Sequence, residues 1–271
     1  MASKIITYCN QSEKLVYLKN TEKLFNCEVD HIVQKGSWSA NIRKIKQLSK
    51  HLESKKSNYK DDDIVIFIDA FDVLLNSNHD EVIEKFKSYN CDILLGAELN
   101  FYGQKKYKET FDEVGPKNRK SNHRYINSGG YIGYVKYLKP FLKWVAEKGG
   151  EKSDQKCFYK FFEKNRHEVG SKKINLKLDS FAKIFLNMHL VSWDDICFKK
   201  GRVYNKALKN NPCFIHFNGG TWQTDTKQNI MPIFVEKLRL SKDDPDTTYD
   251  LANPYKYNQI VTRTCYPHPQ K

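Results

Sequence analysis

The chain has 271 residues, of which 39% are hydrophobic and 13% aromatic, and its formal net charge is +14. This composition supports a sizeable core and argues against intrinsic disorder. No apolar run approaches the roughly 20 residues that cross a bilayer, so we expect no membrane partner. The charge comes from 39 lysines and only seven arginines, spread along the chain. We therefore expect a solvated basic surface and no nucleic-acid partner, because such sites favour arginine.

The cysteines and the first residues bear on the compartment. Seven cysteines are widely spaced, none is in a CxxC pair, and several lie in apolar runs such as NPCFIHF. This pattern favours buried free thiols over a disulfide framework or a zinc site. The opening segment MASKIITYCNQ contains no apolar leader. The sequence therefore predicts a protein of the cytosol.

Strand-like and helix-like segments alternate through the first half of the chain. Strands are predicted at KIITYC, CEVDHIVQ, the run that starts at Ile64, and DILLGAE, with helices at residues 12–24, 41–53 and 79–89. Later elements are helices at 137–147, 154–165 and 228–240 and strands near INLKL, KIFL and PCFIHF. This order predicts an α/β fold with a parallel, Rossmann-like sheet flanked by helices and a nucleotide-type crevice.

Two segments fall outside this alternation. Residues 101–124 are polar and rich in turn residues, which predicts a long surface excursion. Residues 241–271 have few apolar anchors and predict an extended tail or an oligomer contact, with a homodimer as one form. The main domain is accordingly predicted to span residues 1–240.

The run IVIFIDAFDVLL, from Ile64 to Leu75, places Asp69 and Asp72 after five consecutive apolar residues. Such a β-branched and aromatic run predicts a fully buried strand. Carboxylates at its end are costly to desolvate unless a positive group meets them, and open α/β sheets bind ligands beyond their strand ends. A divalent cation is the favoured partner, because hard ions take carboxylate oxygens. The alternative is that both carboxylates cap the following turn.

Three further motifs each have a structural alternative. INSGGYIGY, which contains Asn127, offers polar groups and a close backbone approach, but NSGG is also an ordinary turn. SDQKCFY starts an apolar helix, where Asp154 or Ser153 could equally well be an N-cap. His216 in HFNGG closes an apolar strand and alone suggests a core residue. Together with two aspartates it becomes a third ligand for an ion such as Mn²⁺.

The order and spacing of these motifs resemble the glycosyltransferase domain of the multifunctional procollagen lysyl hydroxylases, and more distantly the collagen glycosyltransferases. The resemblance covers about residues 4–230 and rests on DAFDV, INSGGYIGY, SDQKCFY, LDSFAKIF and HFNGG. It implies a GT-A type glycosyltransferase fold that uses Mn²⁺ and a UDP-sugar donor, UDP-glucose in particular. The acceptor it implies is galactosyl-hydroxylysine of a collagen or collagen-like protein.

The resemblance also assigns roles to individual positions. Asp69, Asp72 and His216 match the metal ligands. Donor-binding positions are Phe71, which falls where an aromatic stacks on uracil, and Thr7 near the base, together with Asp69, Asn127, Tyr102, Asn218 and Gly219. The residues implied to act on the sugar side, and named as catalytic, are Asp154, Asn127 and Glu98.

The chain departs from the family pattern at three places. Ser153 precedes Asp154 where the family has two consecutive acidic residues. Trp222 stands where a lysine is frequent, which leaves Lys227 as a candidate to neutralise the diphosphate. The loop KGSWSAN is shortened, with Asn41 in place of a basic residue and Trp38 as a candidate acceptor contact. These differences affect substrate binding more than the metal site.

Two other functions remain open at this stage. One is a galactosyltransferase that acts directly on hydroxylysine, or a glycosyltransferase with an acceptor other than collagen. The other is a catalytically inactive basic module that keeps the fold and binds an anionic partner. The second predicts strongly salt-dependent binding and no Mn²⁺-dependent release of UDP.

Overall fold

The computed structural model describes residues 2–37, 39–103, 105, 107–109, 121, 123–148, 150, 152–164, 174–221 and 229–251. Its strands are β1 Ser3–Cys9, β2 Val29–Val33, β3 Ile64–Ile68, β4 Val73–Leu75, β5 Ile93–Glu98, β6 Tyr125–Tyr134, β7 Leu176–Leu178, β8 Phe185–Asn187, β9 Ile196–Lys199, β10 Arg202–Asn205, β11 Phe214–His216 and β12 Tyr249–Asp250. Its α-helices are α1 Val16–Phe25, α2 Ile42–Glu53, α3 His79–Ser88, α4 Val135–Lys148, α5 Asp154–Lys164 and α6 Met231–Asp243. The strands and helices predicted from the sequence are present, within a few residues at their ends.

Nine strands form one mixed sheet in the order β2-β1-β3-β6-β5-β8-β11-β4, with β7 beside β5. β1 pairs in parallel with β2 and β3, and β8 pairs in parallel with β5 and β11, whereas β6 runs antiparallel to both β3 and β5. The strands β3, β5, β8 and β11 therefore point the same way. Their carboxyl ends share one edge of the sheet and carry Asp69, Glu98, Asn187 and His216.

The five-residue run predicted as a buried strand is β3, and all of its residues are buried, as predicted. After Ile68 the chain turns, and β4 pairs antiparallel with β11 at the far edge. The expectation of a parallel sheet was wrong, because the NSGG motif lies inside the ten-residue strand β6, which runs antiparallel to both of its neighbours. A Cβ on Gly130 would lie 2.5 Å from the Phe185 ring. The glycine thus allows close packing within a strand, where the sequence alone suggested a turn.

Helices cover both faces of the large sheet. The apolar faces of α2, α4 and α5 pack on one side, and α1 and α3 contribute Leu18, Val82 and Phe86 to the core on the other side. A third cluster joins α6 to the small sheet β10-β9-β12 and to β8 and β11. The large sheet is thus packed against helices on both faces, and its strands β8 and β11 also pack against the third cluster.

Residues 241–251, the first part of the predicted tail, are described. Helix α6 continues past residue 240 to Asp243, and Tyr249–Asp250 pairs with β9. Leu251 is buried in the third core cluster. Residues 252–271, which make up most of the predicted tail, lie outside the described residues, as does most of the excursion at 101–124.

The structure bears on the cysteines and on membrane-spanning helices. All six cysteines within the described ranges are free and buried, as predicted. Among the described helices, none has the length and apolar character needed to cross a membrane.

Candidate active site

Two aspartates and a histidine come together at the carboxyl edge of the large sheet. Asp69 follows β3, Asp72 lies three residues later, and His216 ends β11. The His216 Nε2 atom lies 3.4 Å from Asp72 Oδ2 and 3.8 Å from Asp69 Oδ2. One potential ligand atom from each residue lies within 4.8 Å of the other two. The fold thus unites the three residues that the sequence predicted as metal ligands, across nearly 150 positions of chain.

The ring of His216 is oriented by a neighbouring amide. Asn187 donates from Nδ2 to the Ala97 carbonyl at 2.8 Å, which leaves its Oδ1 facing His216 Nδ1 at 2.7 Å. Because an amide oxygen can only accept, Nδ1 of His216 is the donor in this contact. The lone pair of a neutral ring is then on Nε2, the atom that faces the two aspartates.

Glycine at position 129 makes room for this arrangement. A Cβ there would lie 2.2 Å from His216 Cε1 and 2.9 Å from Asp69 Oδ2. The Gly129 carbonyl accepts a hydrogen bond from the Asp69 amide at 2.8 Å, which continues the pairing of β3 with β6. Carboxylate oxygens with one imidazole nitrogen suit a divalent ion such as Mn²⁺. The residues present therefore fit the metal that the family resemblance implies.

Lys44 of α2 lies between Asp69 and a third aspartate, Asp154. Its Nζ lies 2.6 Å from Asp69 Oδ1 and 2.8 Å from Asp154 Oδ2, and the lysine is only 5% exposed. Burial disfavours its charge, but Asp154 and Asp69 outweigh burial and raise the pKa of Lys44 above its usual value. The ammonium group is therefore a permanent positive charge between two parts of the site.

The three residues of the candidate metal site shift one another's pKa values. Burial raises the pKa of Asp69 more than Lys44 lowers it. Burial alone would raise the pKa of Asp72, but the neighbouring His216 outweighs burial and lowers the pKa of this carboxyl group. At His216 burial alone would lower the pKa of the imidazole, but Asp72 outweighs burial and raises it. Asp72 and His216 thus each favour the charged form of the other.

A pocket of about 530 Å³ lies beside this cluster. Its lining includes five of the sequence-predicted site residues, namely Glu98, Tyr102, Asn127, Asn218 and Gly219. Ser153 and Gln155, the two neighbours of Asp154, also line it. The Lys44–Asp154 ion pair therefore connects the metal-site residues to the pocket wall.

Glu98 is the centre of a network of amides in this pocket. Its carboxylate accepts hydrogen bonds from Asn127 at 3.2 Å, Gln155 at 2.6 Å and Asn218 at 2.7 Å, and the residue is 2% exposed. Burial raises the pKa of Glu98 in spite of these donors. Asn127 also accepts from the Gly129 amide, and Asn218 accepts from the His189 amide. The network fixes the three predicted residues Glu98, Asn127 and Asn218 relative to one another.

Gly219 and Tyr102 lie at the rim of the pocket. Gly219 has φ = +65°, and a Cβ on it would lie 2.8 Å from the His189 ring. Both the backbone conformation and the close contact therefore require glycine. Tyr102 is 55% exposed, with the Lys156 ammonium 5.7 Å from its ring centroid. An exposed aromatic face at a pocket rim is suited to contact a sugar or a bound peptide.

The predicted base-binding residues lie elsewhere along the same edge. Thr7 pairs in register with Ile68, the residue before Asp69, and its hydroxyl is buried without a hydrogen-bond partner among the described residues. Phe71 is half-buried against the core cluster of the α1 and α3 face. The suggested roles of Trp38, Trp222 and Lys227 fall on positions outside the described residues.

Sequence reasoning missed Lys44, Asn187 and Gln155. The signal for Lys44 was present, because it lies four residues before Leu48 on the apolar stripe of α2. A lysine on a buried helix face requires an acidic partner. The other two gave no such signal, since a single amide in an apolar segment has no periodicity that predicts its contact.

The comparisons with known proteins decide the family. A family model described as the PLOD GT domain matches residues 8–237 of the chain. The chain belongs to this family. The resemblance identified from its motifs is therefore confirmed, and the sheet with helices on both faces agrees with the expected α/β class.

The relatives are much longer proteins. "Procollagen-lysine,2-oxoglutarate 5-dioxygenase 1" from Homo sapiens is 30% identical over 239 residues, which cover 83% of this chain and 31% of that protein. "Multifunctional procollagen lysine hydroxylase and glycosyltransferase" from Caenorhabditis elegans is 26% identical over 232 residues, 79% of this chain and 30% of that protein. The chain thus spans about a third of the length of the curated relatives it matches.

Among solved structures, a glycosyltransferase involved in the glycosylation of the major capsid of PBCV-1 aligns with 89% of this chain and 100% of its own. The identity is 12% and the TM-score 0.47.

Proposed function

We propose that this domain is a Mn²⁺-dependent glycosyltransferase. It transfers a hexose, with UDP-glucose as the donor, to galactosyl-hydroxylysine of a collagen or collagen-like protein and retains the anomeric configuration. The observation that carries the proposal is the Asp69–Asp72–His216 cluster beside a polar pocket of about 530 Å³. Membership of the PLOD GT domain family supports it, as does the glycosyltransferase activity named for the relative from Caenorhabditis elegans.

Asp69, Asp72 and His216 would hold the ion. When bound, Mn²⁺ supplies Lewis-acid stabilisation of the negative charge that develops on the departing diphosphate. His216 is suited to this because Asn187 leaves the Nε2 lone pair free on the side of the aspartates. Gly129 is suited because any side chain there would fill the space between Asp69 and His216.

The other residues bind and orient the substrates. Thr7 and Phe71 are proposed to contact the uracil base, the first through its unpaired hydroxyl and the second through its ring. Glu98, Asn127 and Asn218 present a fixed polar wall that would orient the donor sugar. Holding the donor and acceptor in a reactive geometry is itself a large contribution to rate.

Asp154 is proposed to act through its charge and position. Its carboxylate pairs with Lys44 at 2.8 Å, so it remains close to Asp69 at the border of metal site and pocket. A transfer with retention can proceed by attack on the same face that the diphosphate leaves, and such a step requires no protein nucleophile. Under this proposal Asp154 orients the sugar or the acceptor hydroxyl, and Asp154→Ala lowers transfer.

The test is release of UDP from UDP-glucose and UDP-galactose, with and without a galactosyl-hydroxylysine collagen peptide. We expect Mn²⁺-dependent release with UDP-glucose, stimulated by the peptide and abolished in Asp72→Ala. Asp30→Ala, which alters an exposed aspartate paired with Lys4, is the matched control and should be fully active. Metal-independent release, or full activity of Asp72→Ala, would contradict the proposal.

The same assay separates the alternatives. Preference for UDP-galactose with an unglycosylated hydroxylysine peptide would indicate a galactosyltransferase. Absence of release with every donor, together with tight and strongly salt-dependent binding of a polyanion, would indicate an inactive basic module. The intact pairing of Asp69, Asp72 and His216 argues against the second alternative.

A further inference from the structure

A buried amide, Asn187, lies between His216 of the candidate metal site and the end of β5. It ends β8, is 1% exposed, and is in register with His216 of the adjacent strand β11. Its two polar atoms face opposite neighbours: Nδ2 donates to the Ala97 carbonyl of β5, and Oδ1 accepts from His216 Nδ1. The amide therefore joins the ends of three neighbouring strands.

The orientation of this amide is determined by its contacts. The Ala97 carbonyl can only accept, so Nδ2 must point towards β5 and Oδ1 towards the imidazole. In this orientation a neutral His216 ring carries its hydrogen on Nδ1 and its lone pair on Nε2. The opposite form of the ring would place a hydrogen between the imidazole and the two aspartates, where a cation would need a lone pair.

The contact is not required for pairing of the strands. β8 and β11 are already joined by a parallel ladder over three residue pairs, and the Met188 amide donates to the His216 carbonyl at 2.8 Å. The side-chain contact between Asn187 and His216 adds to this ladder, and burial of an amide is costly unless both of its ends are satisfied. Its specific effect is on the imidazole ring.

We propose that Asn187 is a positioning residue that holds the His216 ring in the form able to bind a divalent cation. It does not touch the ion or the substrate, and it acts only through His216. The inference rests on the metal site of the proposed function. Hydrogen-bond partners behind metal-bound histidines contribute about 10- to 100-fold to metal affinity, which sets the expected size of the effect.

Two variants of nearly equal size isolate this role. Asn187→Leu and Asn187→Asp both lose the bond to the Ala97 carbonyl, but only the aspartate keeps an acceptor for the Nδ1 hydrogen. Binding of Mn²⁺ alone is followed by the electron paramagnetic resonance signal of the free ion. We expect about 10- to 100-fold weaker binding for the leucine variant and affinity near that of the wild type for the aspartate variant. Equal affinity in the leucine variant and the wild type would overturn the proposal.

A second measurement needs no variant of Asn187. The ¹⁵N resonances of the histidine rings in the metal-free wild-type protein report which nitrogen carries the hydrogen, and His216→Gln identifies the His216 signals. At a pH where the ring is neutral we expect hydrogen on Nδ1. Hydrogen on Nε2 would overturn the inference even if the leucine variant failed to fold.

The two proposals can fail separately. If the wild-type protein binds no Mn²⁺, the metal site of the proposed function fails and this inference fails with it. If the wild type binds Mn²⁺ and the leucine variant binds it equally well, only the role of Asn187 is wrong.

Discussion

Asp69 and Asp179 both follow directly after a strand of the large sheet, β3 in one case and β7 in the other, yet their surroundings differ. The Asp179 carboxylate accepts hydrogen bonds from the amides of Lys183, Ile184 and Phe185 at 2.7–2.9 Å and from the Tyr89 hydroxyl. Asp69 instead faces the side chains of Lys44, Asp72 and His216. The Asp179 carboxylate is thus bonded mainly by backbone amides, whereas the Asp69 carboxylate lies among charged side chains.

The difference separates a carboxylate that holds a turn together from one that we propose binds a metal. Burial raises the pKa of both residues, but at Asp179 the opposing donors are the Tyr89 hydroxyl and fixed backbone amides. Such donors cannot be exchanged without unfolding the turn. At Asp69 the opposing charges are the Lys44 and His216 side chains, and at Asp72 the main one is His216. A bound cation could supply positive charge to both carboxylates. Position after a strand therefore identifies candidate carboxylates, and the type of donor around each one separates Asp69 from Asp179.

The largest expected effect is from Asp72→Asn. The amide keeps the size of the side chain but removes one anionic ligand, so stabilisation of the leaving diphosphate is lost. We expect Mn²⁺-dependent release of UDP to fall by about 100-fold or more, which is about 3 kcal/mol of barrier. The free energy of unfolding should change little, because the like-charge contact with Asp69 is removed together with the His216 contact. Activity and urea unfolding measured on the same variant test both statements.

A large effect on stability is expected from Lys44→Met. This change leaves Asp69 and Asp154 without their buried counter-charge, which costs about 3–5 kcal/mol of unfolding free energy. Added Mn²⁺ should restore part of this stability, because the ion supplies positive charge to Asp69. Lys4→Met is the matched control, since the exposed Lys4–Asp30 pair should contribute about 1 kcal/mol or less. Equal losses in the two variants, measured by urea unfolding, would contradict the buried bridge.

The position of Lys44 shows what the sequence could predict about the site. Asp69, Asp72 and His216 were predicted because carboxylate and imidazole groups that follow apolar strands lie where open α/β sheets bind their ligands. The strands were predicted because their residues form continuous apolar runs. Lys44 was missed, although its place on the apolar stripe of α2 was visible, because a lysine-rich helix hides one buried lysine among several exposed ones.

Other features could not be predicted because they depend on pairing between distant segments. Strand β6 was missed because Gly129 and Gly130 are weak strand formers, and their place in a strand depends on the Phe185 and His216 side chains that pack against them. Strand β4 was not predicted, because it has only three residues and its pairing with β11 is made by residues about 140 positions apart. Single-sequence periodicity contains no information on such contacts.

A moderate effect on stability is expected from Asp179→Asn. The amide nitrogen of asparagine would face donors of the Lys183–Phe185 turn, so at least one buried hydrogen-bonding group is left without a partner. This costs about 1–3 kcal/mol of unfolding free energy. UDP release per folded molecule should be unchanged, in contrast to Asp72→Asn. Loss of activity in the folded variant would show that the Asp179 turn also shapes the site.

At neutral pH the smallest effect on stability is expected on the structural side, from His123. The Ser121 hydroxyl donates to the Ser180 carbonyl, next to Asp179, and His123 is 5% exposed with Nε2 unpaired within the described part of the chain. Burial lowers the pKa of His123 from 6.5 to about 4. The unfolded chain therefore takes up a proton below pH 6.5 that the folded protein accepts only near pH 4. Stability should fall by about 1.4 kcal/mol per pH unit across this window as the pH decreases.

His123→Phe tests this origin of acid sensitivity, because phenylalanine fills a similar volume and cannot take up a proton. Urea unfolding at pH 7, 6 and 5 should show a steeper loss of stability for the wild type than for the variant. The metal-site residues also titrate, so part of the loss should persist in both proteins. If the two slopes are equal, His123 is not protonated on unfolding. The acid-sensitive groups would then lie elsewhere, and His51 and His79 are the next candidates, because burial lowers the pKa of both imidazoles.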